Sequence, residues 1–326
     1  MSIFFITGGA GFIGSHVADV ALQRGHEVVV VDDFSTGCAD NLQAARQSHR
    51  FSLIEADVAT LDWAQMLRPR DVIIHLAAVV GVKKVCQSAL ATARNNHAPL
   101  EPLLEALRRQ KSRLLYASTS EVYGDSPPEG SSEEDLLHVH SHLGGRSAYT
   151  LSKLYGEMLT LAYADTYGLS ATVLRLFNTI GPRQRGEYGM VVPNFVRQGL
   201  GGLPITVYGD GTQTRSFCDV RDTAHAICLL AEMPECAQGI LNLGNHQEVT
   251  VAVLAEFVRS ATGGRSVVEY LPFPPERAGC TDIRTRRPDL RRLHATLGWQ
   301  PGIDWQEAVR HIIHTQTQAH AERPDH

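Results

Sequence analysis

The chain has 326 residues, enough for about two domains at roughly 100–200 residues each. It is 43% hydrophobic and 20% charged, with 30 Lys+Arg against 35 Asp+Glu. That balance excludes a largely disordered chain and leaves no basic footprint for nucleic acid or an anionic membrane. No apolar run approaches the roughly 20 residues that span a bilayer. Met1–Ile6 lacks a basic leader and runs straight into glycines, so it reads as a strand rather than a signal sequence.

Ile3–Thr7 is the first buried-strand candidate, followed by a glycine turn and a helix through about Arg24. Val28–Val31, Phe51–Glu55, Asp71–Leu76, Arg113–Ala117 and Ala171–Leu176 repeat the apolar pattern, with helical stretches between most of them. Uninterrupted apolar strands spaced by helices predict an α/β fold with a parallel sheet covered on both faces. From Gly181 onward prolines punctuate shorter elements, and Gly199–Pro204 and Gly209–Thr212 read as turns. Helices are predicted over Thr250–Ala261, capped by Thr250, and over Trp305–Thr315 after Asp304. The expected division is a first domain over 1–180 and a smaller one over 181–326, with elements free to cross back. Cys38, Cys86, Cys218, Cys228, Cys236 and Cys280 form no Cys-x-x-Cys or Cys-His cluster. Neither a disulfide framework nor a metal site is therefore expected, and reduced thiols in a cytoplasmic protein are the simpler reading.

Residues 7–14 read Thr-Gly-Gly-Ala-Gly-Phe-Ile-Gly, directly after a strand and at the start of a helix. Gly8, Gly11 and Gly14 leave the backbone around Phe12 and Ile13 open to a pyrophosphate, whose charge the helix N-terminus favours. Asp32 ends the second strand, where a carboxylate accepts both adenosine-ribose hydroxyls and repels a 2′-phosphate. With no arginine beside Asp32-Asp33, the pattern favours NAD over NADP. Asp57-Val58 follows the third strand, where a carboxylate can meet the adenine amino group. His75-Leu76-Ala77-Ala78 ends the fourth with small residues that let the cofactor lie close. Each of these two segments is equally compatible with a cap or ordinary packing.

Tyr149 and Lys153 are four apart in Ser-Ala-Tyr-Thr-Leu-Ser-Lys, hence on one helix face. A nearby ammonium favours the phenolate and makes a tyrosine a general base near neutrality; a surface Tyr and Lys is the alternative. The strand Arg113–Ala117 leads into Ser118-Thr119-Ser120-Glu121-Val122-Tyr123-Gly124. That places a hydroxyl and a carboxylate at the C-terminal end of a parallel strand, where such sheets carry chemistry.

These segments, with LRLFNTIGPRQ at 174–184, VYGDGTQTRSF at 207–217 and LGWQP at 297–301, resemble an extended short-chain dehydrogenase/reductase of the NAD-dependent epimerase/dehydratase family over nearly the whole chain. The resemblance implies a Rossmann-like doubly wound sheet with a smaller mixed substrate domain, and a UDP-linked sugar oxidised to a transient 4-ketose. By that resemblance Tyr149 takes the sugar 4-hydroxyl proton and Lys153 holds the nicotinamide ribose. Thr119 hydrogen-bonds the same oxygen, and Asn178, Arg215 and Arg286 contact the substrate, with Arg277 a rival to Arg286. The Thr119-Ser120-Glu121 loop most resembles UDP-glucuronate decarboxylases, in which the C5 carboxylate is β to the ketone and leaves without a metal. A UDP-sugar 4-epimerase acting on UDP-glucose or UDP-glucuronate is the alternative. A dehydratase ranks behind it because Ser120 stands where an Asp is usual. A non-catalytic dinucleotide sensor is disfavoured because Tyr149 and Lys153 are both kept.

Two segments resist placement. Val79–Ser88, with Lys83 and Lys84, does not resemble a decarboxylase loop, and Gly144-Gly145-Arg146 before Tyr149 is also unplaced. The family also implies a homodimer through a four-helix bundle, built from the helix around Asn96–Arg109 and the one carrying Tyr149. Leu100, Leu103, Leu104 and Leu107 form an apolar stripe that such an interface or core packing explains equally well.

Overall fold

The computed structural model describes residues 3–80, 85, 88–138, 146–186, 189–233, 239–273 and 283–321. Lys83, Lys84, Cys86, Gly144, Gly145, Cys236, Arg277 and Cys280 lie outside the described residues. The chain runs through β1 (Ile3–Thr7), α1 (Phe12–Gln23), β2 (Glu27–Asp32), β3 (Phe51–Glu55), α2 (Trp63–Met66) and β4 (Val72–His75). It continues through α3 (Ala89–His97), α4 (Leu100–Gln110), β5 (Arg113–Thr119), α5 (Arg146–Tyr167), β6 (Ala171–Leu176) and β7 (Asn178–Ile180). Next come α6 (Val191–Leu200), β8 (Ile205–Tyr208), β9 (Thr214–Asp219), α7 (Val220–Glu232), β10 (Gly239–Leu243) and β11 (Glu248–Thr250). The last elements are α8 (Val251–Ala261), β12 (Val268–Leu271), α9 (Arg291–Leu297) and α10 (Trp305–Ala321).

Seven strands form one sheet in the order β10-β6-β5-β4-β1-β2-β3, every pairing parallel. Its strands read as continuous apolar runs because both faces are covered. Phe4, Ile6, Val28 and Val30 point into a core shared with Val17, Ala18 and Ile227, while Phe5, Val29 and Ile73 meet Leu100, Leu103, Leu104 and Leu107. The strand order reverses between β1 and β4, so the crevice beyond their C-terminal ends is the natural ligand position. β7, β9 and β11 make a second sheet, and β8 and β12 a third. These pack with α6, α8 and α10 around a separate core that includes Phe195, Leu254 and Trp305.

Between them the chain returns: Ala224, Ile227 and Leu230 of α7 join the core under α1, and β10 extends the main sheet beside β6. Thr250 caps α8 by accepting from Val253 N at 3.2 Å, and Asp304 accepts from Glu307 N at 2.7 Å at the head of α10.

One expected helix is two. The stretch Asn96–Arg109 breaks at Ala98-Pro99, because proline has no N–H to donate and its ring clashes with the carbonyl four residues back. The leucine stripe of α4 is fully buried in the chain's own core, so it offers no face to a partner. The apolar side chains left exposed nearby include Leu90 on α3 and Leu151, Tyr155, Met158 and Tyr167 on α5.

Helix α5 lies unusually close to β5 at Gly156, where an added Cβ would sit 2.0 Å from the Tyr116 Oη. Gly156→Ala is therefore expected to lower stability by about 1–3 kcal/mol, the usual cost of overpacking a core. Tyr116→Phe, which deletes a buried hydroxyl with no partner among the described residues, is expected to cost nothing. Urea unfolding of both variants checks this; an unaltered Gly156→Ala midpoint would contradict the close approach.

Candidate active site

A cavity of about 1360 Å³ opens at the C-terminal ends of β1, β2, β4 and β5 and extends over β7 to the small sheets. Single small-molecule sites run to about 1,000 Å³; this one has room for a dinucleotide and a second ligand together. Its walls include Gly8, Gly11, Phe12, Ile13, Gly14, Asp32, Asp57, Val58, Leu76, Ala77 and Ala78 at one end. Thr119, Glu121, Tyr149 and Lys153 line its middle, with Asn178, Arg215 and Arg286 beyond them. Ser120 is the exception: it is buried behind the wall and bonded to the Arg286 Nη2 at 2.5 Å, so it steadies Arg286 rather than facing a ligand.

The dinucleotide end fits NAD. Gly8 has φ +69°, and a Cβ there would meet Ala77 N at 2.8 Å, while a Cβ on Gly14 would meet Gly8 O at 2.3 Å. Only glycine permits that turn, and Gly11, the N-cap of α1, has no side chain to occupy the helix's free N–H groups. Asp32 is held at the cavity edge by Ala10 N and Phe34 N, each donating at 2.9 Å. Burial raises its pKa, and those two backbone bonds oppose the rise. Each carboxylate oxygen keeps a further lone pair for a ribose hydroxyl. Asp57 also receives Ala59 N at 2.9 Å, so it is a turn cap that borders the cavity.

The pocket floor is stiff. His75, driven down to about 3 by burial and by the Lys153 charge, is a neutral imidazole bonded to Thr7 Oγ1 at 2.9 Å and stacked on Tyr116. Lys153 is 3% exposed and donates to the Ala117 carbonyl at 2.8 Å. Burial lowers it to about 8, and Glu157 resists the fall. It is thus still protonated at neutral pH, beside the tyrosine one turn earlier. Thr119 Oγ1 accepts from Glu121 N at 3.3 Å and keeps its own hydrogen for a ligand oxygen. Arg286 reaches Glu121 from the far end of the chain, Nη1 to Oε1 3.5 Å.

Several functional positions escape the sequence reading. Glu157 continues the Tyr149–Lys153 face by another turn; it accepts from Ser118 Oγ and from Arg175, whose Nη2 lies 2.7 Å away. Asn96 accepts from Val79 N at 2.8 Å and donates to Ser152 Oγ at 2.9 Å, tying the loop after β4 to the catalytic helix. Arg183, Arg185 and Arg197 add cationic lining at the substrate end. Asn178 Nδ2 is a buried donor without a partner among the described residues, as a ligand-facing group would be.

The family model described as the NAD dependent epimerase/dehydratase family matches residues 4–244. The chain belongs to this family. The chain is 36% identical over 308 residues to UDP-glucuronic acid decarboxylase 1 of Danio rerio, covering 94% of this chain and 71% of that one. It is 34% identical over 315 residues to UDP-N-acetyl-alpha-D-glucosaminuronate decarboxylase of Bacillus cytotoxicus, covering 94% and 95%. Its fold matches a UDP-glucuronic acid 4-epimerase from Bacillus cereus, solved with UDP-glucuronic acid and NAD, at TM-score 0.86 and 27% identity over 97% of this chain and 99% of that one. The protein is an enzyme and its cofactor is NAD. No helix among the described residues is long and apolar enough to cross a membrane.

Because its pKa is depressed, Lys153 gives up its proton in the folded protein near pH 8, before the unfolded chain does near 10.5. The stability cost of the buried ammonium is fully present below about pH 8 and is relieved as pH rises toward 10.5. Activity is expected to fall as pH passes about 8, where the cation beside Tyr149 is lost. Glu157→Gln removes the charge that props Lys153 up, so the limb should move to lower pH. A pH–rate profile of both proteins checks it; a limb unmoved or moved upward would contradict it.

Proposed function

We propose that this enzyme is a UDP-glucuronate decarboxylase working through a 4-keto sugar. The observation that carries the reading is the meeting of Glu121 with Arg286 beside Thr119, Tyr149 and Lys153 in one cavity. A carboxylate and a guanidinium flanking the oxidation centre are what loss of a C5 carboxyl group needs and a simple epimerase does not. The decarboxylase relatives at 34–36% identity support the same choice. A dehydratase would need a second acid beside Glu121, and Ser120 instead holds Arg286.

NAD, when bound, supplies the oxidation at C4 and its later reversal. Tyr149 accepts the O4 proton, Thr119 holds that oxygen, and the Lys153 cation favours the phenolate. Once C4 is a ketone, the C5–C6 bond breaks, its electron pair passes to the C4 oxygen as an enolate, and carbon dioxide leaves. Arg286 and Glu121 orient the C6 carboxylate for that cleavage, C5 then takes a proton from a water on their side of the cavity, and Tyr149 returns its proton to O4. Arg183, Arg215 and the other cavity arginines match the charge of a nucleoside diphosphate, the UDP of the reading, and Asn178 offers it a neutral donor.

We further read the protein as a homodimer through α3 and α5. Leu151, Tyr155 and Met158, at i, i+4 and i+7 with Leu90 alongside, form the exposed apolar face that the α4 leucines do not. Monomeric sedimentation at micromolar concentration would overturn that part. A cytoplasmic location belongs to the same reading, supported by the buried thiols Cys218 and Cys228.

Mass spectrometry of UDP-glucuronate incubated with enzyme and NAD tests the reaction. The expected product is lighter by one carbon dioxide, and Tyr149→Phe should slow its formation by about 10²–10⁴-fold, the usual worth of a general base. An isomer of unchanged mass would make the enzyme a 4-epimerase. Turnover confined to the 2-acetamido uronate would keep the chemistry and change the substrate.

A further inference from the structure

Arg286 sits in a segment that is hydrogen-bonded along both edges. On one edge Thr214 N donates to Arg284 O at 2.8 Å, and Ser216 N and Oγ donate to Arg286 O at 3.2 and 3.0 Å, which fastens the segment to β9. On the other edge Asp125 Oδ1 accepts from the N–H groups of both Arg284 and Thr285, the latter at 3.1 Å. Ser126 N donates to Thr285 O at 2.9 Å, Arg287 N donates to Ser126 Oγ at 3.1 Å, and Ser131 N donates to Arg287 O at 2.8 Å. Gly130, at φ +95°, lets the two strips touch: a Cβ there would lie 2.8 Å from Pro288 O.

We propose that Asp125 is a positioning residue that sets the fate of the keto sugar, by clamping the backbone that delivers Arg286 to Glu121 and Ser120. The proposal rests on the decarboxylase reading. Glu121 and Asp125 stand at the two ends of one short loop, and Arg286 follows directly after the two N–H groups that Asp125 captures. Together with the Ser126 and Ser131 bonds, this carboxylate fixes the register between a side chain at position 121 and one 165 residues later, and it alone grips the two residues just before Arg286 by their N–H groups. Among the described residues, the hydrogen bonds that Asp125 makes go to the backbone of Arg284 and Thr285 and not to Lys153 or Thr119. Loosening the clamp should leave the oxidation step standing and disturb the step that uses the Glu121–Arg286 pair. Asp125 is exposed and does not line the cavity, so its loss removes no core contact and no ligand contact.

The experiment compares Asp125→Ala and Asp125→Asn with the parent enzyme on UDP-glucuronate. It reads carbon dioxide release, the fraction of cofactor left reduced, and the mass of any keto sugar that keeps C6. A displacement of about 1 Å at a catalytic group costs on the order of 10²-fold. Asp125→Ala is accordingly expected to slow carbon dioxide release about 10- to 100-fold while reduced cofactor and the six-carbon keto sugar accumulate. Asp125→Asn, whose amide oxygen still accepts both N–H groups, should behave like the parent. Parental carbon dioxide release by Asp125→Ala would overturn the proposal, as would an equal loss of oxidation and decarboxylation in both variants. A parent enzyme that converts UDP-glucuronate without releasing carbon dioxide would overturn the decarboxylase reading itself, and the role of Asp125 with it.

Discussion

A buried ion pair decides how the catalytic helix meets the sheet. Glu157 of α5 and Arg175 of β6 are 4% and 2% exposed, and the carboxylate also receives the Ser118 hydroxyl. Removing one partner of such a pair typically costs about 3–5 kcal/mol, because the other charge is left buried and alone. The pair therefore holds α5 on β5 and β6 at one depth and one rotation. Tyr149 and Lys153 lie two turns and one turn before it on the same face, so their approach to Thr119 follows from it. Gly156, with no side chain, allows the contact; Asn96 and Ser152 brace the same helix from its other side.

The cavity divides its work along its length. The dinucleotide end is built almost wholly from backbone: a glycine turn, a helix terminus and Asp32 pinned by two N–H groups. The middle holds Thr119, Tyr149 and Lys153, where burial depresses Lys153 to about 8 and Glu157 keeps it from falling further. The substrate end is cationic and is completed by Arg286, which no element of the main sheet supplies. Under the proposed reading, the groups for the oxidation step come from β5 and α5, and the group that bears on the later step is carried in by a separate segment.

Much of this was legible in the sequence where the signal is local. The glycine spacing, Asp32 at a strand end and the Tyr149–Lys153 pair all express one element's periodicity, and each lies on the cavity wall. What stayed hidden depends on long-range pairing. Arg175 inside an apolar strand and Asn96 inside a helix are unfavourable locally, and only their partners make sense of them. The leucines of α4 look the same whether they face a core or a partner, and their burial decides it. The break at Pro99 was readable from proline chemistry alone, yet the apolar period runs through it. The return of α7 and β10 to the main sheet leaves no mark in sequence, because a buried strand reads alike in either sheet. The orientation of Ser120 was hidden for a related reason: its neighbours Thr119 and Glu121 line the cavity, and it points away toward Arg286.

The central claim is that one site oxidises C4 and then removes the carboxyl group at C5, and turnover of UDP-glucuronate in heavy water tests it most directly. The account predicts a UDP-pentose lighter by carbon dioxide, with one solvent deuterium at C5 and none at C4. A product of unchanged mass with inverted C4, or solvent deuterium at C4, would contradict it.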